Sequence, residues 1–177
     1  MTNHSPLPPC LYDLDVSAWG DGLCLARCLF QPEKLSDDAF QLARIPKPGT
    51  LSGAIAKRRC EYLAGRVCAG AAGEALIGKV LIPEQGDDRA PRWSPPLVGA
   101  ITHSQGRAAA LVGHHDQWQG LGLDYEAWLA PRRALRLAEE ILTEQERQAL
   151  RGLDEAEQAR RITLAFSVKE SLFKALY

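Results

Sequence analysis

The sequence predicts an α+β fold in which a strand and a long helix are followed by a cluster of short strands and then by helices. Three observations carry this. Residues 51–76 are rich in Ala and Leu, with Leu51, Ile55, Leu63 and Val67 near helical spacing. Residues 97–128 hold short apolar runs separated by turns containing Gly or Asp. After Pro131 the pattern becomes helical again.

Taken in order, the Pro-rich start "MTNHSPLPPCLYDLD" is expected to be extended, and "GLCLARCLF" at 22–30 reads as a strand. The helix from Leu51 carries Lys57, Arg58, Arg59 and Arg66, with Arg59 and Arg66 two turns apart on roughly one side. "DDRAPRWSPP" at 87–96 is a loop, because each proline biases its predecessor away from helix. "LVGAITHS" at 97–104, "RAAALVGHH" at 107–115 and "GLGLDYEAW" at 120–128 read as strands of a meander. Thr143 to Glu146 has the form of a capping box. A long helix from about Ala156 to Tyr177 closes the chain. It stops at "KESLFKALY" in mid-helix, without Gly, Pro or a polar tail, which predicts a chain cut short.

At 177 residues the chain suits one domain or two small lobes. Its 21 Lys and Arg nearly balance 22 Asp and Glu, so no global field favours nucleic acid or an anionic membrane. No basic leader followed by a long apolar run is present, which makes the cytoplasm the expected compartment. Cys10, Cys24, Cys28, Cys60 and Cys68 form no Cys-x-x-Cys and are odd in number, so reduced core thiols are expected.

The chemistry concentrates in "GLGLDYE" at 120–126. On a strand Asp124 and Glu126 share a face, and like charges that close repel unless a cation lies between them. Oxygen donors at this spacing suit a hard ion such as Mg²⁺, while two solvated carboxylates are the plain alternative. On the last helix Thr163, Ser167, Glu170, Lys174 and Tyr177 form one polar face, and Ile162, Phe166, Phe173 and Leu176 form an apolar stripe. Lys169 fills a gap in that stripe, where it either snorkels or meets an anion. Glu170 and Lys174 also have the spacing of a surface ion pair. His103 ends a strand before a Gly turn, a place for a phosphate or for a partly exposed ring. Arg59 and Arg66 suit a phosphate or a solvated helix face.

The segments Arg59 to Arg66, "APRWSPPLVGAITHS", "GLGLDYE" and "FSVKESLFKA" occur in that order. Together they resemble the 4′-phosphopantetheinyl transferases, most of all the larger, pseudo-dimeric type in the branch of the enterobactin synthase component D enzymes. The resemblance implies two similar α+β lobes, at 1–118 and 119–177, the second incomplete here, with coenzyme A between them. It implies a monomer if complete, and transfer of phosphopantetheine to a serine of an acyl or peptidyl carrier protein in siderophore, polyketide or fatty-acid synthesis. Asp124, Glu126 and Glu170 would then hold Mg²⁺, with Glu170 also the base and Lys174 serving the departing phosphate. Lys169 would help orient the pyrophosphate, and His103, Arg59 and Arg66 would bind the nucleotide phosphates. A carrier-binding relic and a metal-dependent nucleotide phosphohydrolase remain as alternatives.

Overall fold

The computed structural model describes residues 7–20 and 22–176. The extended start expected at residues 1–6, and the place of Tyr177 on the last helix, lie outside the described residues.

In chain order the first part contains β1 (Leu11–Ala18), β2 (Leu23–Phe30), the short helix α1 (Ala39–Leu42), the long helix α2 (Ala56–Ile77), β3 (Glu84–Gln85), β4 (Pro91–Arg92), β5 (Leu97–Ser104) and β6 (Arg107–His114). Four strands form an antiparallel sheet in the order β1-β2-β6-β5, and β3 pairs with β4 as a separate small hairpin. Helix α2 lies across the sheet. The core between them includes Leu63, Cys60, Cys68, Cys28, Leu97 and Val112. All five cysteines are free and buried, as reduced thiols should be.

The sequence did not reveal β1 as a strand. It is an edge strand whose exposed side carries charge, and its pairing register shifts between Tyr12 and Asp15, where Asp13 takes a positive φ of 52°. Such an irregularity breaks the alternation that marks a strand. Helix α2 starts at Ala56 rather than Leu51, because a single turn at Gly49–Leu51 precedes an extended Ile55. The expected loop at 87–96 contributes β4 to the hairpin.

The larger correction concerns residues 120–128, which form no strand. The segment is threaded between the free edge of the sheet and the last helix. A Cβ on Gly120 would overlap the carbonyl oxygen of Ala175, and one on Gly122 that of Ser171. The backbones approach so closely that no side chain fits between them. The segment's amides find side-chain acceptors in place of a ladder: Tyr125 N donates to Thr102 Oγ1 at 3.0 Å and Leu129 N to Thr163 Oγ1 at 3.2 Å.

The second part adds α3 (Pro131–Ile141), α4 (Glu144–Gln148) and α5 (Glu155–Leu176). The capping box opens α4 as expected, with Glu146 N donating to Thr143 Oγ1 and Thr143 N to Glu146 Oε2. A small second core gathers Ala134, Leu142, Leu150, Ala159 and Ile162. Among the described residues this part contains no strand, so its likeness to the first part rests on one 22-residue helix in each.

Helix α5 turns its faces differently from the expected arrangement. Its polar side, including Thr163, Ser167 and Lys174, faces the 120–129 segment. Of the expected apolar stripe only Ile162 is fully buried, while Phe173 and Leu176 are exposed. Leu164, Val168, Leu172 and Leu176, four residues apart, make an exposed apolar row.

Gly122→Ala should therefore force α5 off the segment. Urea unfolding should show a loss of about 1–3 kcal/mol, the usual cost of overpacking. Gly53→Ala, where an added Cβ meets nothing, is the control and should stay within about 0.5 kcal/mol. Equal stability of the two variants would contradict the close approach.

Candidate functional site

Asp124 is the hub of the site. Its side chain is only 8% exposed, and each oxygen is engaged. Lys174 Nζ donates to Oδ1 at 2.7 Å, and Thr102 Oγ1 approaches the same oxygen at 3.4 Å. Ser167 Oγ donates to Oδ2 at 2.9 Å. Lys174 also donates to Leu123 O at 3.2 Å, which ties its ammonium to the segment twice. The contacts come from β5 on one side and α5 on the other, so the carboxylate is held where the two parts of the chain meet. Glu126 lies farther out, where its Oε1 accepts from Ala127 N at 2.8 Å and from Ser104 Oγ at 3.5 Å. Tyr125 points elsewhere and accepts a hydrogen bond from Arg107 Nη1.

Glu170 stands on α5 between Ser167 and Lys174, both of which touch Asp124. It is half-buried, and among the described residues it has no hydrogen bond or ion pair of its own. Among those residues no three His, Cys, Asp or Glu side chains converge as a ready-made metal cage. The donor chemistry nevertheless fits a hard cation, since Asp124 and Glu126 offer oxygens only and an ammonium already stands against Asp124.

Lys169 meets an anion, and that anion is the Glu146 carboxylate of another helix. Its Nζ donates to Ile141 O at 2.7 Å and pairs with Glu146 Oε2 at 2.6 Å, stapling the α3–α4 elbow to α5. That hydrogen bond, with the one from Thr143 N, holds the Glu146 carboxyl below its ordinary value. The sequence placed Lys169 in a gap of an apolar stripe, but it carried no sign that Glu146 would reach the same spot from another helix.

The basic residues divide likewise. Arg66 is 5% exposed, stacks on Tyr62 at 4.5 Å and donates to Glu84 O at 3.3 Å, so it anchors the β3 hairpin from inside. Burial lowers its pKa, partly offset by Tyr62. Arg59 is half-buried, and its Nε has no hydrogen-bond partner among the described residues. Neither faces His103. The α2 residues that do are Arg58, whose Nη1 lies 3.4 Å from His103 Nε2, and Glu61, whose Oε1 lies 3.8 Å from Nδ1. Arg58 and Glu61 are one turn apart, on a side of the helix different from that of Arg59. Sequence reasoning missed Glu61, Thr102 and the bonding of Ser167, although Ser167 lay on the polar face it identified.

A cleft of about 580 Å³ opens beside these groups, lined in part by Lys57, Glu61, His103, Glu126, Trp128 and Arg133. It carries both signs of charge, with the exposed Trp128 at its rim.

Comparison with known proteins yields two family matches, the 4'-phosphopantetheinyl transferase N-terminal domain over residues 47–113 and the 4'-phosphopantetheinyl transferase superfamily over residues 120–177. The chain is 32% identical over 182 residues to enterobactin synthase component D of Salmonella typhimurium, a match covering 99% of this chain and 67% of that protein. It is 36% identical over 133 residues to enterobactin synthase component D of Escherichia coli K12, covering 74% of this chain and 61% of the relative. 4'-phosphopantetheinyl transferase Svp of Streptomyces mobaraensis is 34% identical over 151 residues, 80% of this chain and 57% of its own length.

His103 supplies a pH readout of the cleft. Burial lowers its pKa, Glu61 opposes this, and Arg58, Lys174 and Lys57 add to it. The folded protein thus binds this proton less readily than the unfolded chain. The ring's contribution to stability is complete above the unfolded pKa of about 6.5 and is lost as the pH falls through the folded one. An NMR titration should place the His103 midpoint below about 6.5. Glu61→Gln should lower it further and Arg58→Ala should raise it; the opposite signs would refute the arrangement.

Proposed function

From the premise that the chain belongs to the 4′-phosphopantetheinyl transferase superfamily, we propose that it moves the phosphopantetheine arm of coenzyme A onto a serine of an apo acyl or peptidyl carrier protein. The observation that carries this reading is the seating of Asp124 between β5 and α5, with Lys174 on it and Glu170 on the same helix between Ser167 and Lys174.

The serine hydroxyl forms a bond to the phosphorus that bears the pantetheine arm. The bond from that phosphorus to the bridging oxygen breaks, and adenosine 3′,5′-bisphosphate leaves. Glu170, without a partner among the described residues, takes the serine proton directly or through water. Lys174, a cation already inside the site, moves with the charge to the departing phosphate. His103 with Arg58 and Lys57 meets the nucleotide phosphates at the cleft, with Arg59 behind them. Arg66 acts from further back by holding the hairpin. Asp124, Glu126 and Glu170 are the residues that would hold Mg²⁺. When bound, the ion supplies charge neutralisation at the pyrophosphate.

Among the described residues no helix is long and apolar enough to cross a membrane. We place the reaction in the cytoplasm, where coenzyme A and carrier proteins meet. Siderophore, polyketide and fatty-acid carriers are the candidates for the acceptor.

The test is direct. The protein is incubated with Mg²⁺, coenzyme A and apo carriers of the three classes, and intact mass reports one added phosphopantetheine. Asp124→Ala and Glu170→Ala should each lower the rate by about 100-fold or more, on the scale of losing a general base or a charge-stabilising group. No added mass on any carrier would remove the transferase reading for this chain. Carrier binding without transfer would support a relic, and hydrolysis of coenzyme A without a carrier would support a phosphohydrolase.

A further inference from the structure

The two oxygens of Asp124 are loaded unequally. Oδ1 has two neighbours, the Lys174 ammonium at 2.7 Å and Thr102 Oγ1 at 3.4 Å. Oδ2 has one, the Ser167 hydroxyl at 2.9 Å. A serine hydroxyl has a single proton to donate, and here it is directed at this oxygen. Ser167 lies one turn beyond Thr163, which holds the other end of the segment through Leu129 N, and just before Glu170. One face of α5 therefore brings up in succession a clamp for the segment, a donor to Asp124, a free carboxylate and an ammonium.

We infer that Ser167 is a positioning residue for Asp124: its hydroxyl fixes Oδ2, so that the carboxylate keeps its orientation when Lys174 gives up Oδ1 to a bound divalent cation. The inference rests on the metal reading above. Lys174 has a long, flexible stem and an alternative acceptor in Leu123 O, so it is able to leave. Ser167 has a short side chain on a regular helix, so it stays. Without it, Asp124 loses the one hydrogen bond that the described residues make to Oδ2 and is less restrained about its terminal torsion, which is broad by nature. Docking of α5 does not require this hydroxyl, because Gly120, Gly122 and Thr163 already seat the helix on the segment. A purely structural serine would alter stability and leave cation affinity unchanged.

The experiment titrates Mn²⁺ alone into the whole chain, without coenzyme A, and follows free Mn²⁺ by electron paramagnetic resonance. Ser167→Ala should weaken binding by about 10-fold or more, the effect expected when a ligand loses its orienting partner. Ser167→Thr, which restores the hydroxyl, should return it to within about threefold of the native protein. If the Ala variant does not fold, Ser167→Cys takes its place, being close in size but a weak donor, with the same loss expected. Unchanged Mn²⁺ affinity in the Ala or Cys variant, or failure of Thr to rescue, overturns the inference. Asp124→Ala separates the two levels of failure. If it also leaves Mn²⁺ binding intact, the metal reading itself falls; if it abolishes binding while Ser167→Ala does not weaken it, only the role of Ser167 falls.

Discussion

Everything at this site depends on the contact between residues 120–122 and the backbone of α5. Gly120 and Gly122 let the segment lie directly against the carbonyls of Ala175 and Ser171. That approach sets the height at which Asp124 enters. A segment held one side chain farther out would put Asp124 beyond the reach of Ser167 and Lys174, both of which bond to it within 3 Å. The sheet edge provides the other wall through Thr102, which accepts from Tyr125 N and approaches Asp124 Oδ1. Two hydroxyls and two glycines thus fix a carboxylate that the sequence shows as one half of an Asp-x-Glu pair.

The like charge of that pair is resolved unevenly. Asp124 is nearly closed off and takes the ammonium, whereas Glu126 is exposed and satisfied by its neighbour's amide and by Ser104. Burying a carboxylate without a partner is far more costly than leaving one in water. The chain therefore supplies its own cation to the buried member only. Lys169, five residues before Lys174, is spent on the α3–α4 elbow. Two lysines on one helix consequently do unrelated work, because they project from different sides of it.

What was legible in the sequence follows from where regular periodicity governs. Strands β2, β5 and β6, helices α2 and α5 and the capping box at Thr143 all follow from apolar spacing or a local hydrogen-bond motif. Strand β1 was hidden by its bulge at Asp13, and residues 120–128 looked like a strand because an extended chain beside a helix has the same alternation as one in a ladder. Lys174 reaches Asp124 and Glu170 stands on the same helix, whereas Lys169 and Arg66 are claimed by tertiary partners, Glu146 and the Glu84 carbonyl. Glu61 was illegible for a related reason: its meaning comes only from His103, which the fold carries to it from another element.

The orientation of α5 shows which requirement prevailed when two were in conflict. Turning the helix to bury Leu164, Val168, Leu172 and Leu176 would gain roughly 1.5–3 kcal/mol for each side chain fully covered. It would also withdraw Thr163, Ser167 and Lys174 from the segment. Leu129 N would then lose its acceptor, and Asp124 would lose its hydroxyl and its ammonium. An orphaned buried polar group costs about 1–3 kcal/mol and a charged one more. A segment without a ladder offers that amide no strand partner, whereas an apolar row at the surface only forgoes a gain. The helix accordingly presents its polar face to the protein, and the same hydroxyls and ammonium that keep the segment in place also equip the site.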